Sequence, residues 1–136
     1  MQVVIDTNVF LDLFLNRENA DDAEQFFLWC RKYKVKTFIT SVTLRDIGYI
    51  AHRKLHDKEM SKTIQMKAYQ ISNKVLGISA DSAIESLYND GDYEDRLIIN
   101  AAKENMMDAI ITNNIKDFFD KSMPCFTPKE IIQIKL

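Results

Sequence analysis

Residues 3–10 of the chain read VVIDTNVF. The β-branched apolar residues at the start of this stretch predict a buried strand, and the acidic residue Asp6 follows them directly. Thr7 and Asn8 then lead into a second apolar run, with no Gly, Pro or charged linker between. In open α/β sheets, sites form beyond the carboxyl ends of the strands. We therefore expect Asp6 to lie at the functional edge of a sheet.

Short apolar runs alternate with longer helical patterns along the rest of the chain. Strands are predicted at 2–5 (QVVI), 36–40 (KTFIT), 108–112 (DAIIT) and 124–126 (PCF), with a short apolar segment at 75–78 (VLGI). Helices are predicted at 8–15, at 20–34, after Ser41 as N-cap, at 58–74, at about 82–89 with Ser82 and Glu85 in capping-box spacing, after Asp92, and after a capping box at 127–130. This alternation predicts an α/β fold with a parallel sheet covered by helices on both faces.

The composition limits the classes of protein to which the chain can belong. Its 136 residues, 46% of them hydrophobic, are expected to form one domain over residues 1–136. No apolar run approaches the roughly 18 residues that a membrane span needs, and no signal peptide is visible. Two cysteines without zinc spacing favour a reducing, cytoplasmic location. The net charge of −2 argues against binding nucleic acid through bulk positive charge.

Charge is distributed unevenly along the chain. Residues 52–74 carry six Lys or Arg against two acids, and residues 81–95 carry six acids and no base. An acidic cluster beside a basic flank suits a site that holds cations and approaches a polyanion. The alternative interpretation is two solvated helix faces.

Several acids are predicted to converge at the carboxyl edge of the sheet. The candidates are Asp6, Asp46, Asp92, Asp95 and Asp117, with Asn114 as a neutral oxygen ligand. Carboxylates that are forced together repel one another, and a divalent cation relieves that repulsion. Oxygen-only ligands favour Mg²⁺ or Mn²⁺ over Zn²⁺. One or two such ions could hold a phosphodiester and activate a water for attack on it.

Each acid also has a purely structural interpretation. Asp92 and Asp95 have the spacing of a helix N-cap and its third helical residue, and Asp6 could cap the helix that begins near Asn8. Asp117 could cap a short segment at 118–119, and Asp46 could pair with Arg45 or Lys54. We interpret Asp12 and Asp90 as surface residues. His52 and His56 are four residues apart but lack the Glu of the zinc-protease motif.

Three segments together resemble the PIN-domain nucleases, in particular the bacterial VapC-type toxins. They are VVIDTNVFLDLF (3–14), ITSVTLRDIGYI (39–50) and DYEDRLIINAAKENMMDAIITNNIKDF (92–118), followed by a terminal helix that contains Pro. The resemblance covers nearly the whole chain. It implies a three-layer α/β/α fold with sheet order 3-2-1-4-5, Mg²⁺- or Mn²⁺-dependent cleavage of RNA, homodimers, and often a small antitoxin partner.

The resemblance also assigns a role to each candidate acid. It implies that Asp6, Asp46, Asp95 and Asp117 are the catalytic acids. Asp46 stands where the family usually has Glu, and Asp92 is an added or alternative metal ligand beside Asp95. Asn114 stands where many relatives have Asp, so that Asp117 would supply the missing charge. Asn113 stands where close relatives often have Arg.

Other polar residues are assigned supporting roles. Thr7, Asn8 and Thr112 are expected to orient the carboxylates. The candidates for contact with RNA are Arg45, Arg53, Lys54, Arg96 and Lys116.

Two competing hypotheses remain open from the sequence. The departures at positions 46, 113 and 114 are compatible with a PIN fold that has lost catalysis and binds RNA or protein. A phosphotransfer receiver domain is the third possibility, but both identifiable central strands end in an acid or an amide rather than a lysine.

Overall fold

The computed structural model describes residues 1–118 and 122–136. Its centre is a sheet of five strands: β1 (Gln2–Ile5), β2 (Lys36–Thr40), β3 (Lys74–Leu76), β4 (Ala109–Ile111) and β5 (Cys125–Phe126). The strands lie in the order β3-β2-β1-β4-β5, and every neighbouring pair is parallel. The predicted order 3-2-1-4-5 is therefore confirmed. It differs from the 2-1-3-4-5 order of receiver-type sheets, which removes that alternative.

Seven α-helices and one 3₁₀ helix connect the strands in the part of the chain that the structure describes. The α-helices are α1 (Thr7–Phe14), α2 (Ala20–Tyr33), α3 (Ser41–Leu55), α4 (Lys58–Ile71), α5 (Ala80–Tyr88), α6 (Tyr93–Glu104) and α7 (Pro128–Ile131). The 3₁₀ helix spans Ile115–Asp117, directly after β4. None of the described helices has the length and apolar character that crossing a membrane requires.

The two faces of the sheet are covered by separate hydrophobic clusters. On one face, side chains of β1, β2 and β4 pack against α1, α2, α3, α4 and α7; the buried members include Val3, Ile5, Phe26, Ile39, Ile47, Ile64, Ile111 and Ile131. On the other face, Val4, Phe38 and Ile110 pack against α6 and Phe118. Alternate residues of each strand thus face opposite layers, which gives the three-layer α/β/α architecture that was predicted.

Three predicted helix boundaries were wrong. In each case the side chain of a nearby polar residue makes a hydrogen bond that sets the boundary. Thr40, not Ser41, caps α3, and its Oγ1 accepts a hydrogen bond from the Thr43 N–H at 3.0 Å. Thr40 ends β2 with an extended backbone, as an N-cap requires. In the same way Ser79 caps α5, so the predicted capping box of Ser82 with Glu85 does not form.

The third wrong boundary is the end of α4. This helix stops at Ile71 rather than at residue 74. The Asn73 side chain leaves the helical path to accept a hydrogen bond from the Thr37 N–H at 2.7 Å. The next residues then pair with β2 as β3, so sheet formation wins over continued helix.

The last helix confirms the predicted capping box and gives a stability prediction. The Thr127 hydroxyl accepts from the Glu130 N–H at 3.1 Å, and the Glu130 carboxylate accepts from the Thr127 N–H at 3.0 Å. We expect Thr127→Ala to lower the free energy of unfolding by about 1 kcal/mol, because the Glu130 N–H at the start of α7 loses its hydrogen-bond acceptor. Urea denaturation would measure this, with Thr63→Ala as control, since the exposed Thr63 lies inside α4 and caps nothing. Equal losses in both variants would contradict the prediction.

Candidate active site

Asp6 begins α1 at the point where β1 ends. Its Oδ1 accepts a hydrogen bond from the Thr7 N–H at 2.8 Å, so the predicted capping role is confirmed. Its Oδ2 accepts from Asn8 Nδ2 at 2.9 Å and from Thr112 Oγ1 at 2.8 Å. The β1–β4 pairing brings Thr112 to this position, because the Asp6 N–H continues the ladder to Ile111 O at 2.9 Å. Both carboxylate oxygens are therefore held by residues that directly follow the two central strands, β1 and β4.

Five carboxylates line one cleft of about 500 Å³ at the carboxyl edge of the sheet: Asp6, Asp12, Asp46, Glu94 and Asp95. The amide side chains of Asn113 and Asn114 and the cations Arg17 and Arg45 lie in the same wall. The cleft thus collects acids from the start and the body of α1, from α3 and from α6, which are far apart in sequence. This is the edge of the sheet at which the sequence predicted the chemistry.

The environment of this cleft raises the pKa of three carboxyls, those of Asp6, Glu94 and Asp95. Burial raises the pKa of Asp6 to about 6, and the charge of Asp46 adds to this effect against the hydrogen bonds that lower it. Burial also raises the pKa of Asp95 to about 7, helped by the negative charges of Asp6, Asp92, Asp117 and Glu94. The carboxylates are therefore close enough for mutual repulsion to disfavour their full ionisation.

Asp46 lies on the inner side of α3 and is half-buried. Its Oδ1 accepts a hydrogen bond from Arg45 Nη1 at 3.0 Å, so of the two predicted pairings the structure shows the one with Arg45. The Arg45 guanidinium also lies over the Tyr49 ring, 5.1 Å from its centroid. Asp46 therefore combines a structural ion pair with a place in the acidic cleft.

The remaining predicted ligands lie around the rim. Asp92 caps α6, where its Oδ1 accepts from the N–H groups of Glu94 at 2.9 Å and Asp95 at 3.3 Å. Asn114 faces the cleft, and Asp117 is exposed in the 3₁₀ helix. Asp92 and Asp117 do not line the cleft, although the charge of each raises the pKa of Asp95. Residue 119, half of the segment that Asp117 was predicted to cap, lies outside the described residues.

Among the basic candidates, the structure places only Arg45 in the wall of the cleft. Arg53 lies farther along α3, with its guanidinium 5.8 Å from the Tyr49 centroid on the same surface as Arg45. Lys54 is exposed near the end of α3, and Lys116 is exposed in the 3₁₀ helix. Arg96 is half-buried in the first turns of α6.

Three cleft residues were missed or misassigned from the sequence. Asp12 was predicted to be a surface residue, but it is only 5% exposed and accepts hydrogen bonds from Arg17 and Asn113. Asp12 stands in α1 between Leu11 and Leu13, and its six-residue spacing from Asp6 matches no single helical face, so periodicity gave no signal for it. Glu94 was not predicted, because an acid in the first turn of a helix is usually explained by the helix dipole alone. Arg17 follows the end of α1, where no periodic pattern predicts the direction of a side chain.

The donors of the cleft suit a hard divalent cation. They are carboxylate and amide oxygens, the ligand type of Mg²⁺ and Mn²⁺, and the raised pKa values show that negative charge is concentrated there. Within residues 1–118 and 122–136, no three Asp, Glu, His or Cys side chains are arranged tightly enough to hold one ion. The donor set therefore fits such a cation by its chemistry, and side-chain rotation is needed to bring the oxygens together.

The sheet order and the acidic cleft define a three-layer α/β protein with carboxylates at the switch point between β1, β2 and β4. The sequence profile of the PIN domain matches residues 2–116, and the chain belongs to the PIN domain family. No curated protein sequence matched the chain.

Solved structures of low sequence identity share this fold. VapBC2 from Rickettsia felis, bound to a DNA fragment from its promoter, is 18% identical with a TM-score of 0.70, covering 93% of this chain and 98% of that one. A toxin–antitoxin complex from Klebsiella pneumoniae is 22% identical with a TM-score of 0.67, covering 94% and 98%. VapC20 from Mycobacterium tuberculosis, described as a toxin that cleaves the sarcin–ricin loop, is 12% identical with a TM-score of 0.63, covering 79% and 86%.

Proposed function

We propose that this chain is an endoribonuclease that hydrolyses RNA phosphodiesters with the help of Mg²⁺ or Mn²⁺. The observation that carries the proposal is the buried Asp6, with a pKa of about 6, which shares a cleft with Asp46 and Asp95 at the carboxyl edge of a PIN-domain sheet. A buried carboxylate among like charges costs stability unless a cation neutralises it. Such a cost is typical of a site that is built for function rather than for folding.

The catalytic acids of the proposal are Asp6, Asp46, Asp95 and Asp117, with Asp92 and Asn114 as further ligands of one or two ions. When bound, Mg²⁺ or Mn²⁺ supplies a Lewis acid that activates water and neutralises charge on the phosphate. Asp6 can hold its orientation because Asn8 and Thr112 donate to one oxygen and the Thr7 N–H donates to the other. Asp92 and Asp117 lie at the rim, where their negative charges raise the pKa of Asp95. Their side chains would have to rotate to become ligands of an ion in the cleft.

The proposal extends to the biological setting. We infer that the chain is the toxin of a toxin–antitoxin pair, a homodimer inhibited by a small antitoxin in the cytoplasm. The support is the fold shared with the Klebsiella pneumoniae toxin–antitoxin complex and with VapC20 from Mycobacterium tuberculosis, which is described as a toxin. Expression of the chain alone is expected to arrest growth, and co-expression of its antitoxin, a small protein that we expect to be encoded beside it, is expected to relieve the arrest. Growth without arrest from an active enzyme would exclude the toxin assignment.

The direct test of the activity is cleavage of a mixture of structured and single-stranded RNAs by the purified chain. Cleavage is expected with Mg²⁺ or Mn²⁺ and not with EDTA. RNA binding without cleavage at millimolar Mn²⁺ would instead support the alternative, a PIN fold that acts as a binding module. The departures at positions 46, 113 and 114 make this comparison necessary.

Glu94 is expected to contribute to cation binding although the sequence did not single it out. It lines the cleft, and burial together with the charges of Asp46 and Asp92 raises the pKa of its carboxyl, while Arg45 opposes this. We expect Glu94→Gln to weaken Mn²⁺ binding by about tenfold in calorimetry, since one nearby oxygen charge is lost. Glu24→Gln is the matched control, because Glu24 is exposed on α2 and outside the cleft wall. If Glu94→Gln bound Mn²⁺ with wild-type affinity, Glu94 would not contribute to cation binding.

A further inference from the structure

A polar network links the end of α1 to the centre of the cleft. Asp12 lies in the last turn of α1 and is buried. Its Oδ1 accepts a hydrogen bond from Arg17 Nε at 2.8 Å, and its Oδ2 accepts from Asn113 Nδ2 at 2.6 Å. One buried carboxylate therefore joins an arginine to the loop that follows β4.

The backbone at the end of α1 fixes where Arg17 lies. Asn16 adopts a left-handed conformation with φ 49°, which Asn tolerates better than most residues. The Arg17 N–H then donates to Asp12 O at 3.0 Å, as in a Schellman helix end. In that motif the residue after the left-handed position usually makes an apolar contact with the last helical turn. Here the contact is the ion pair of Arg17 with Asp12, so the direction of the guanidinium is set by the helix end.

Arg17 and Asp6 are held by the same residue. Arg17 Nη2 donates to Asn8 O at 3.3 Å, and Asn8 Nδ2 donates to Asp6 Oδ2 at 2.9 Å. Asn8 Oδ1 also accepts from the Asn113 N–H at 3.1 Å. The guanidinium and the proposed catalytic carboxylate therefore belong to one rigid framework on one wall of the cleft.

Among the residues that the structure describes, the cleft contains two cations, Arg17 and Arg45, which differ in exposure and in the number of hydrogen bonds that hold the guanidinium. The Arg45 side chain is 68% exposed and makes one ion pair, with Asp46. The Arg17 side chain is 37% exposed and is fixed through both Nε and Nη2. A guanidinium has more N–H donors than these two bonds use, and its flat fork matches a phosphate. The ion pair with Asp12 partly offsets the positive charge that Arg17 presents to a ligand, but it fixes the direction of the guanidinium.

We propose that Arg17 is a phosphate-binding residue for single-stranded RNA in this cleft, oriented by Asp12 and Asn8. This inference rests on the proposed function and names a substrate contact of the same site. A polyanion that enters a cleft lined by five carboxylates needs a cation within it, and Arg17 is the cation that hydrogen bonds to Asp12 and Asn8 orient before binding. The phosphate bound by Arg17 would lie beside Asp6.

The test measures binding separately from cleavage. Fluorescence anisotropy of a short labelled single-stranded RNA is recorded in EDTA over a series of salt concentrations. Arg17→Met is expected to weaken binding about tenfold, the loss of one charge-assisted contact. It is also expected to make the slope of log K against log salt shallower by about 0.7, since one phosphate contact is lost. Arg17→Lys should keep the wild-type slope and lose part of the affinity, because lysine retains the charge but not the fork.

Arg31→Met is the matched control, since Arg31 is an exposed arginine of α2 outside the cleft wall, and it is expected to keep the wild-type affinity and slope. Wild-type affinity and slope in Arg17→Met, or no RNA binding by the wild type, would overturn the inference. So would a lysine variant whose slope equals that of Arg17→Met. If Arg17→Met fails to fold by circular dichroism, the comparison of Arg17→Lys with wild type in affinity and slope decides. Absence of cleavage by a wild type that binds RNA through Arg17 would remove the proposed activity and leave the contact standing.

Discussion

Asp6→Asn is expected to reduce metal-dependent RNA cleavage by at least about 100-fold without lowering the melting temperature at pH 7.5. The loss of activity follows because an amide carries no charge for a cation. The fold should tolerate the change because Asn is as good an N-cap as Asp, so the bond from the Thr7 N–H is kept. The amide nitrogen that replaces the other oxygen cannot accept a hydrogen bond, so the bonds from Asn8 Nδ2 and Thr112 Oγ1 are both lost.

The stability of Asp6→Asn has two opposing contributions. Removing a buried carboxylate whose pKa is raised to about 6 removes a cost of roughly 3 kcal/mol at neutral pH. Losing two hydrogen bonds costs about 2 kcal/mol. The balance favours an unchanged or higher melting temperature. An active site residue that is removed at no cost in stability is separated in this way from a residue that merely supports the fold.

The control for this experiment is Asp21→Asn, because Asp21 is an exposed acid in the first turn of α2 and lies outside the cleft wall. It should keep full activity and lose at most a few tenths of a kcal/mol of helix stability. Residual cleavage by Asp6→Asn equal to that of the wild type would refute the site assignment. A large fall in its melting temperature would refute the balance of energies.

Much of this fold can be predicted from the sequence because its strands are short and apolar and alternate with helices along the chain. VVI, FIT and AII are buried on both sides, so their apolar runs are continuous, and this identifies a parallel sheet. The order of the strands came from the resemblance to PIN domains, since no local pattern encodes which strands pair. Helix ends were less predictable, because Thr40 and Ser41, or Ser79 and Ser82, offer equivalent hydroxyls and tertiary contacts choose between them.

The sequence predicted that Asp6, Asp46 and Asp95 meet at one edge of the sheet. It did not predict that Asp12, Glu94 and Arg17 lie in the same cleft. Asp6 and Asp95 follow from their positions at a strand end and at the start of an apolar helical stripe. Asp12 and Arg17 could not be placed in the same way, because their contact depends on the left-handed turn at Asn16. A long polar side chain beyond a helix end has no periodicity, so only the path of the backbone shows where it lies.

The metal-free protein is expected to lose stability as the pH rises from about 4 to about 7. Asp6 and Asp95 have pKa values in the folded state of about 6 and about 7, above the value of 3.8 for an unperturbed Asp. The folded state therefore binds more protons than the unfolded state across this range, and the unfolding free energy falls with rising pH. Asp6 accounts for roughly 3 kcal/mol, and the half-buried Asp95 for less, because water screens it.

Urea denaturation in EDTA at a series of pH values would measure this loss. The double variant Asp6→Asn with Asp95→Asn should flatten the fall between pH 4 and 7, because the two carboxyls with the largest pKa shifts are gone, while Asp21→Asn should follow the wild type. Mn²⁺ at pH 7.5 should restore stability to the wild type and not to the double variant, because a bound cation removes the repulsion that the raised pKa values record. If the wild type and the double variant had the same pH dependence, the cost of the acidic cleft would lie elsewhere, and the case for a cation there would rest on the ligand chemistry alone.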